Sequence, residues 1–159
     1  MSRAKHMQAT LKHAQNGFGL VEALVALVVV SVGMIGIAVL YGQGLGASRT
    51  ALYRTQAVIL ASDMADRIRL NRRAGAVYQT AGAGANRNCV PGGATCTPTQ
   101  MAENDLFVWN AVIAQQLPTA SGTVTYGATS PPTYTIQVTW QEVGLGAITY
   151  QLAIRVPDL

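Results

Sequence analysis

Residues 1–17 are polar and basic. The chain turns apolar at Phe18 and stays so to Leu40, with Glu22 and Ser31 the only polar side chains among 23 residues. At about 1.5 Å of rise per residue, a helix of that length covers roughly 34 Å, enough to cross the hydrocarbon core of a bilayer. Over residues 41–47 glycines alternate at Gly42, Gly44 and Gly46. Three glycines cost about 3 kcal/mol of helix propensity relative to alanine, which predicts a weak point or flexible joint there. The helix is expected to resume at Ser48. Residues 52–73 contain neither Gly nor Pro, and Leu52, Leu60, Met64 and Ile68, with Val58, Ile59 and Ala61 nearby, form an apolar stripe at helical spacing. The pattern therefore predicts a long helix over 18–73 in two halves, 18–41 apolar all round and 42–73 amphipathic.

The head, residues 74–159, opens with a loop rich in Gly, Ala, Asn and Thr up to Pro98. A second helix is predicted over 99–117, where Leu106, Trp109, Val112, Ile113 and Leu117 recur at three- and four-residue intervals and Pro118 stops it. Glu103 and Asp105 are expected early in it, complementing its dipole. Trp109 is expected in the core. Beyond Pro118 the period changes to two. Residues 122–126 alternate Thr with Val and Tyr; Tyr134, Ile136, Val138 and Trp140 share one face; Ile148, Tyr150, Leu152, Ile154 and Val156 share another. Such alternation predicts an antiparallel meander of three or four half-buried strands. One amphipathic helix and one half-apolar sheet make an α+β roll, the long N-terminal helix packed on a C-terminal antiparallel sheet.

Charge adds orientation. The net charge is +4, but Arg3, Lys5 and Lys12 all lie before Phe18, leaving eight cations against seven acids in the remainder. A near-neutral remainder is no nucleic-acid footprint. The early basic residues hold the N-terminus in the cytoplasm and send the head across the membrane. Cys89 and Cys96 then lie in an oxidising compartment, which favours a disulfide closing an eight-residue ring worth roughly 2.5 kcal/mol in the chain-entropy treatment. Pro91-Gly92 supplies the turn between them. Their spacing is not CxxC and no further ligands cluster nearby, so zinc or redox chemistry is not expected.

Candidate chemistry is otherwise sparse. No histidine follows His13, which excludes a histidine-based triad from the head. No glycine loop of phosphate-binding type follows a strand. Asp63 and Asp66 stand among Arg67, Arg69, Arg72 and Arg73, a pattern of ion pairing rather than acid–base work, with Asp63–Arg67 at helix spacing. Arg72 and Arg73 suit a helix end. No catalytic, cofactor or metal site is expected. Glu22 is the exception that calls for a function, because an ionisable group inside a membrane run is costly unless paired.

The basic segment, then Gly17, Phe18, three residues, Glu22 and the aliphatic run, resembles the type IV pilin and pseudopilin signal. A general secretory signal has a shorter apolar region with a small-residue cleavage site behind it. The resemblance implies that residues 1–17 are a leader, cut between Gly17 and Phe18 by a prepilin peptidase on the cytoplasmic side, and that the new amine of Phe18 is methylated. It further implies that Glu22, fifth in the mature chain, faces the amino terminus of a neighbouring subunit during assembly. The physics agrees, since a buried carboxylate beside a buried ammonium neutralises both. Ala-Ser-Asp-Met-Ala-Asp-Arg-Ile-Arg-Leu-Asn over 61–71 is similar to the helix ending of PilV-type minor pilins, as are Asp-Leu-x-x-Trp at 105–109 and Leu117-Pro118. That implies a minor pilin held in the bacterial inner membrane, with its head in the periplasm before it enters an extracellular fibre. Its partners would be other minor pilins and the major pilin, and its roles priming of assembly, twitching motility and adhesion. The second half of the apolar run lacks the proline usual in major pilins. Alternatives are a minor pseudopilin of type II secretion and a membrane-anchored exported binding domain.

Overall fold

A computed structural model describes residues 19–80, 82–89, 93 and 95–157. The chain divides into two compact units, Met1–Gly44 and Leu45–Leu159. Helix α1 (Leu20–Leu70, 51 residues) contributes to both.

In the first unit the helix starts with the amides of Glu22 and Ala23 bonded to the Gly19 carbonyl at 3.0 and 3.2 Å. Every residue described there is exposed, including the large aliphatics from Leu20 to Leu40. Ser31 folds its hydroxyl onto the Leu27 carbonyl at 2.7 Å, so the one neutral polar side chain between Leu20 and Leu40 is satisfied within its own helix. The interruption expected at residues 41–47 is not present: Gly42, Gly44 and Gly46 are helical. Glycine lowers helix propensity without removing a backbone hydrogen bond, and long helical stretches on both sides carry the structure across.

The second unit is the head. Here α1 buries Ala57, Leu60, Ala61, Met64, Ala65 and Ile68, a stripe narrower than the one expected. Leu52, Val58 and Ile59 point away and are exposed. The helix ends at Leu70, three residues early, because Asn71 leaves helical geometry (φ −116°, ψ 46°). Arg72 and Arg73 therefore lie in a single 3-10 turn, Arg72–Ala74, and the basic residues of the last α1 turn are Arg67 and Arg69. A short helix α2 (Val77–Thr80) follows where the sequence reads as loop.

Helix α3 (Pro98–Gln116) opens on a capping box. The Thr97 hydroxyl accepts from the Gln100 amide, the Gln100 side chain accepts from the Thr97 amide, and Pro98 occupies the first helical position. This places Glu103 and Asp105 beyond the first turn, too far in to serve the helix dipole as expected. The buried face of α3 carries Ala102, Leu106, Trp109 and Ile113.

Three antiparallel strands complete the head in the order β1 (Ser121–Gly127), β2 (Thr133–Glu142) and β3 (Gly146–Arg155). Tyr134, Ile136, Val138 and Trp140 of β2 are all buried, as their alternation predicts. In register beside them stand Tyr126, Val124 and Gly122 on β1 and Ile154, Leu152, Tyr150 and Ile148 on β3. Gly122 occupies a core-facing position because Trp109 fills the space: a Cβ there would overlap the indole ring and Ile113 Cδ1. One core gathers the α1 stripe, Tyr78, α3 and the inner sheet face. The opposite face of the sheet is a field of Thr and Gln. Thr139 and Thr149 hydroxyls meet at 2.9 Å, and Gln137 donates to Gln151 at 3.2 Å. The fold is the α+β arrangement expected, a long N-terminal helix packed on a three-stranded antiparallel sheet.

Candidate anchoring and assembly site

A helix apolar on every side has no favourable place in water and must be covered by lipid or by like helices. Among the described residues α1 is the one helix long and apolar enough to cross a membrane. Glu22 lies in its first turn. Its carboxylate is exposed and makes no side-chain hydrogen bond or ion pair among the described residues. An anionic group on an apolar cylinder can accept one ammonium, and both charges then leave water together. Gly17 and Phe18, the expected cleavage and methylation positions, lie outside the described residues.

At the other end of α1, side chains from three elements meet. Arg67 donates through Nε to Asp63 Oδ2 at 2.9 Å, one turn back, and through Nη1 to Asp105 Oδ1 at 3.1 Å on α3. Tyr78 of α2 donates its hydroxyl to Asp105 Oδ2 at 2.9 Å. Asn71 donates to the Pro98 carbonyl at 2.8 Å and to the Tyr78 oxygen at 3.3 Å. Asp105 is buried, and both its oxygens are used. Burial alone would weaken the Arg67 charge, but Asp63 and Asp105 outweigh it and hold the guanidinium above its ordinary value. Asp66 pairs with Arg69 at 2.6 Å on the exposed side. The expected pairing of the aspartates with arginines is thus present. The reach of Arg67 to a buried acid 38 residues away is not visible in helix spacing.

Burial pushes the Tyr78 phenol well above its ordinary pKa of 10.0, and the Asp105 carboxylate pushes the same way. A folded value above the unfolded one keeps the associated stability intact below about pH 10 and removes it as pH rises from there, at about 1.4 kcal/mol per pH unit. No lysine follows Lys12 to obscure this range. Thermal melts of wild type and Tyr78→Phe should therefore differ most at neutral pH and converge above about pH 10. A constant difference across that range would show that Tyr78 does not carry the loss.

Cys89 and Cys96 are disulfide-bonded, with Cα atoms 5.9 Å apart, as expected. The Pro91-Gly92 turn between them lies outside the described residues. The ring is fastened to α3 from one side: buried Asn104 accepts from the Arg87 amide at 3.0 Å, and Arg87 Nε donates to Glu103 Oε2 at 2.6 Å. Gly84, at φ +78°, lies directly on the α3 backbone, where a Cβ would overlap the Glu103 carbonyl. No group of three or more His, Cys, Asp or Glu able to hold a metal occurs among the described residues.

A second buried acid escaped the sequence reading. Glu142, at the end of β2, accepts from the Thr50 hydroxyl at 2.7 Å and from Trp140 Nε1 at 2.8 Å. Its signal was there to read, because Glu142 continues the even-numbered buried series of Tyr134 to Trp140.

A family model described as the prokaryotic N-terminal methylation motif matches residues 12–38. Another, described as type IV pilin Tt1218, matches residues 40–107. No curated protein and no solved structure matches the chain.

Proposed function

Because this chain belongs to the type IV pilin-like family, we propose that it is a minor pilin of PilV type, which helps prime pilus assembly and is built into the fibre. Pilins are structural subunits of a pilus rather than enzymes, and the N-terminal methylation motif implies processing by a prepilin peptidase. On our reading the peptidase cuts between Gly17 and Phe18 and the Phe18 amine is then methylated. The subunit waits in the inner membrane as a single-pass protein with its head in the periplasm. It joins other minor pilins and the major pilin when its helix exchanges lipid for a bundle of like helices. Support for pilus biogenesis, twitching motility and adhesion follows from that place in the fibre.

The observation that carries this reading is the α1 surface. From Leu20 to Leu40 it is apolar and exposed on all sides, and its sole ionisable group there is Glu22 in the first turn. An ammonium at the start of a neighbouring chain is the partner that such a carboxylate takes at least cost in an apolar bundle.

Intact mass of the protein from membranes and from sheared surface fibres tests the reading. The expected chain begins at Phe18, is one methyl heavier, and is two hydrogens lighter for the Cys89–Cys96 bond. Its recovery in sheared fibres favours the pilus over a type II secretion pseudopilin. A full-length chain confined to membranes would instead favour an anchored binding domain.

A further inference from the structure

The turn joining β2 to β3 presents Val143 and Leu145 to solvent, 105% and 63% exposed, on either side of Gly144. The presentation is built in. Leu145 donates its amide to the Glu142 carbonyl at 3.1 Å, and Gly144 and Gly146 adopt φ of 83° and 77°, which only glycine takes readily. The root of the turn is tied down as well. The Glu142 carboxylate holds Thr50 of α1 and Trp140, and the Gln141 amide bonds to the Pro118 carbonyl at 3.0 Å. A groove of about 320 Å³ runs beside it, lined by Gly46, Arg49, Tyr53 and Val143 among others.

Thr50, which anchors this turn, is only ten residues beyond Leu40, the end of the apolar run. Ten residues reach at most about 35 Å, however they are arranged. The turn is therefore tethered within about 35–40 Å of the end of that run. Arg49 makes no ion pair among the described residues. The groove's own acid, Glu142, is buried and engaged by two neutral donors, so it does not compete for Arg49.

We propose that the Val143-Gly144-Leu145 turn is a second membrane contact, dipping its two apolar side chains into the interfacial layer of the bilayer while Arg49 meets lipid phosphate. The proposal rests on the reading that the apolar run spans that bilayer. Two side chains at a turn are far smaller than the roughly 800 Å² per partner of a standard protein interface. They suffice at a lipid surface, because the anchor already keeps the local lipid concentration high and little further freedom is lost on contact. The subunit awaiting assembly is thereby held at two points, and leaving the membrane breaks both.

The test uses the full chain in liposomes of phosphatidylethanolamine and phosphatidylglycerol. Trp109 and Trp140 are buried, so a tryptophan added by Leu145→Trp or, separately, Val143→Trp reports on its own surroundings. Both positions are exposed and outside the core, so both variants should fold. The expected result is blue-shifted added emission, most of it lost when the phospholipids are brominated close to the head group. Leu27→Trp, read with deeply brominated lipid, reports on the anchor alone. Quenching of Leu27→Trp with water-like, unquenched emission at 143 and 145 overturns the turn contact and leaves the anchor standing. Failure of all three to quench overturns the anchor reading and the contact with it. Shielding of 143 and 145 only in sheared fibres overturns the proposal in favour of a subunit contact.

Discussion

Trp109→Ala is expected to strip the head of a large share of its stability. The indole is completely buried, donates its N–H to the Leu60 carbonyl at 2.8 Å, and lies against Gly122 and Ile113. One α3 side chain thus touches both α1 and β1. Truncating a buried tryptophan costs about 3–5 kcal/mol, and a domain of this kind has about 5–15 kcal/mol in all. Trp109→Phe keeps an aromatic ring but loses the hydrogen bond, at about 1 kcal/mol plus the lost volume. Denaturant titrations followed by near-ultraviolet circular dichroism should therefore rank wild type above Trp109→Phe and both well above Trp109→Ala. An alanine variant within 1 kcal/mol of wild type would show that the three layers are held by something else.

On the proposed reading of Glu22, Glu22→Leu should separate membrane insertion from assembly. A carboxylate in a membrane helix costs up to about 2.5–3.5 kcal/mol on insertion scales, the figure for the helix centre, so replacing it by leucine leaves membrane insertion intact or improves it. If Glu22 pairs with a neighbouring subunit's ammonium as proposed, assembly should suffer in return, because that ammonium then enters the bundle without its counter-charge. A loss of that size is on the order of a hundredfold in an equilibrium, enough to empty sheared fibres of the variant while membranes fill with it. Glu22→Gln, which keeps a hydrogen-bond acceptor, should fall between. The ratio of sheared to membrane-bound protein on an immunoblot decides: an unchanged ratio for Glu22→Leu would remove Glu22 from assembly.

What could be read from the chain depends on how far apart the interacting groups are. The alternation from Tyr134 to Trp140 is a property of neighbours, and it reports the buried face of β2 directly. The exposed apolar run is likewise local, as is the Cys89–Cys96 ring. Thr97 with Gln100 was a local signal too, and reading it would have started α3 at Pro98. The Arg67–Asp105–Tyr78 cluster was not legible. Its members come from α1, α3 and α2, and spacing within one helix cannot say which acid another helix will bury. The apolar stripe expected on α1 is wider than the buried one for the same reason. Leu52, Val58 and Ile59 are as greasy as Leu60, and only the position of the sheet and α3 makes them outward. The glycines at 42, 44 and 46 misled because propensity speaks for an isolated segment and these sit between two long helical stretches. At the candidate site, Glu22 stood out by its company. Gly17 and Phe18 are proposed from the resemblance and from their spacing to it.

The outer face of the sheet carries threonine, glutamine and small residues, and its one ionic side chain is Arg155 at the end of β3. Such a surface has almost nothing for dissolved ions to screen. Contacts made there rest on hydroxyl and amide groups, whose strength is nearly independent of ionic strength. The same contacts hold in fresh water and in brine, whereas a face built on exposed salt bridges would loosen as the medium grew saltier.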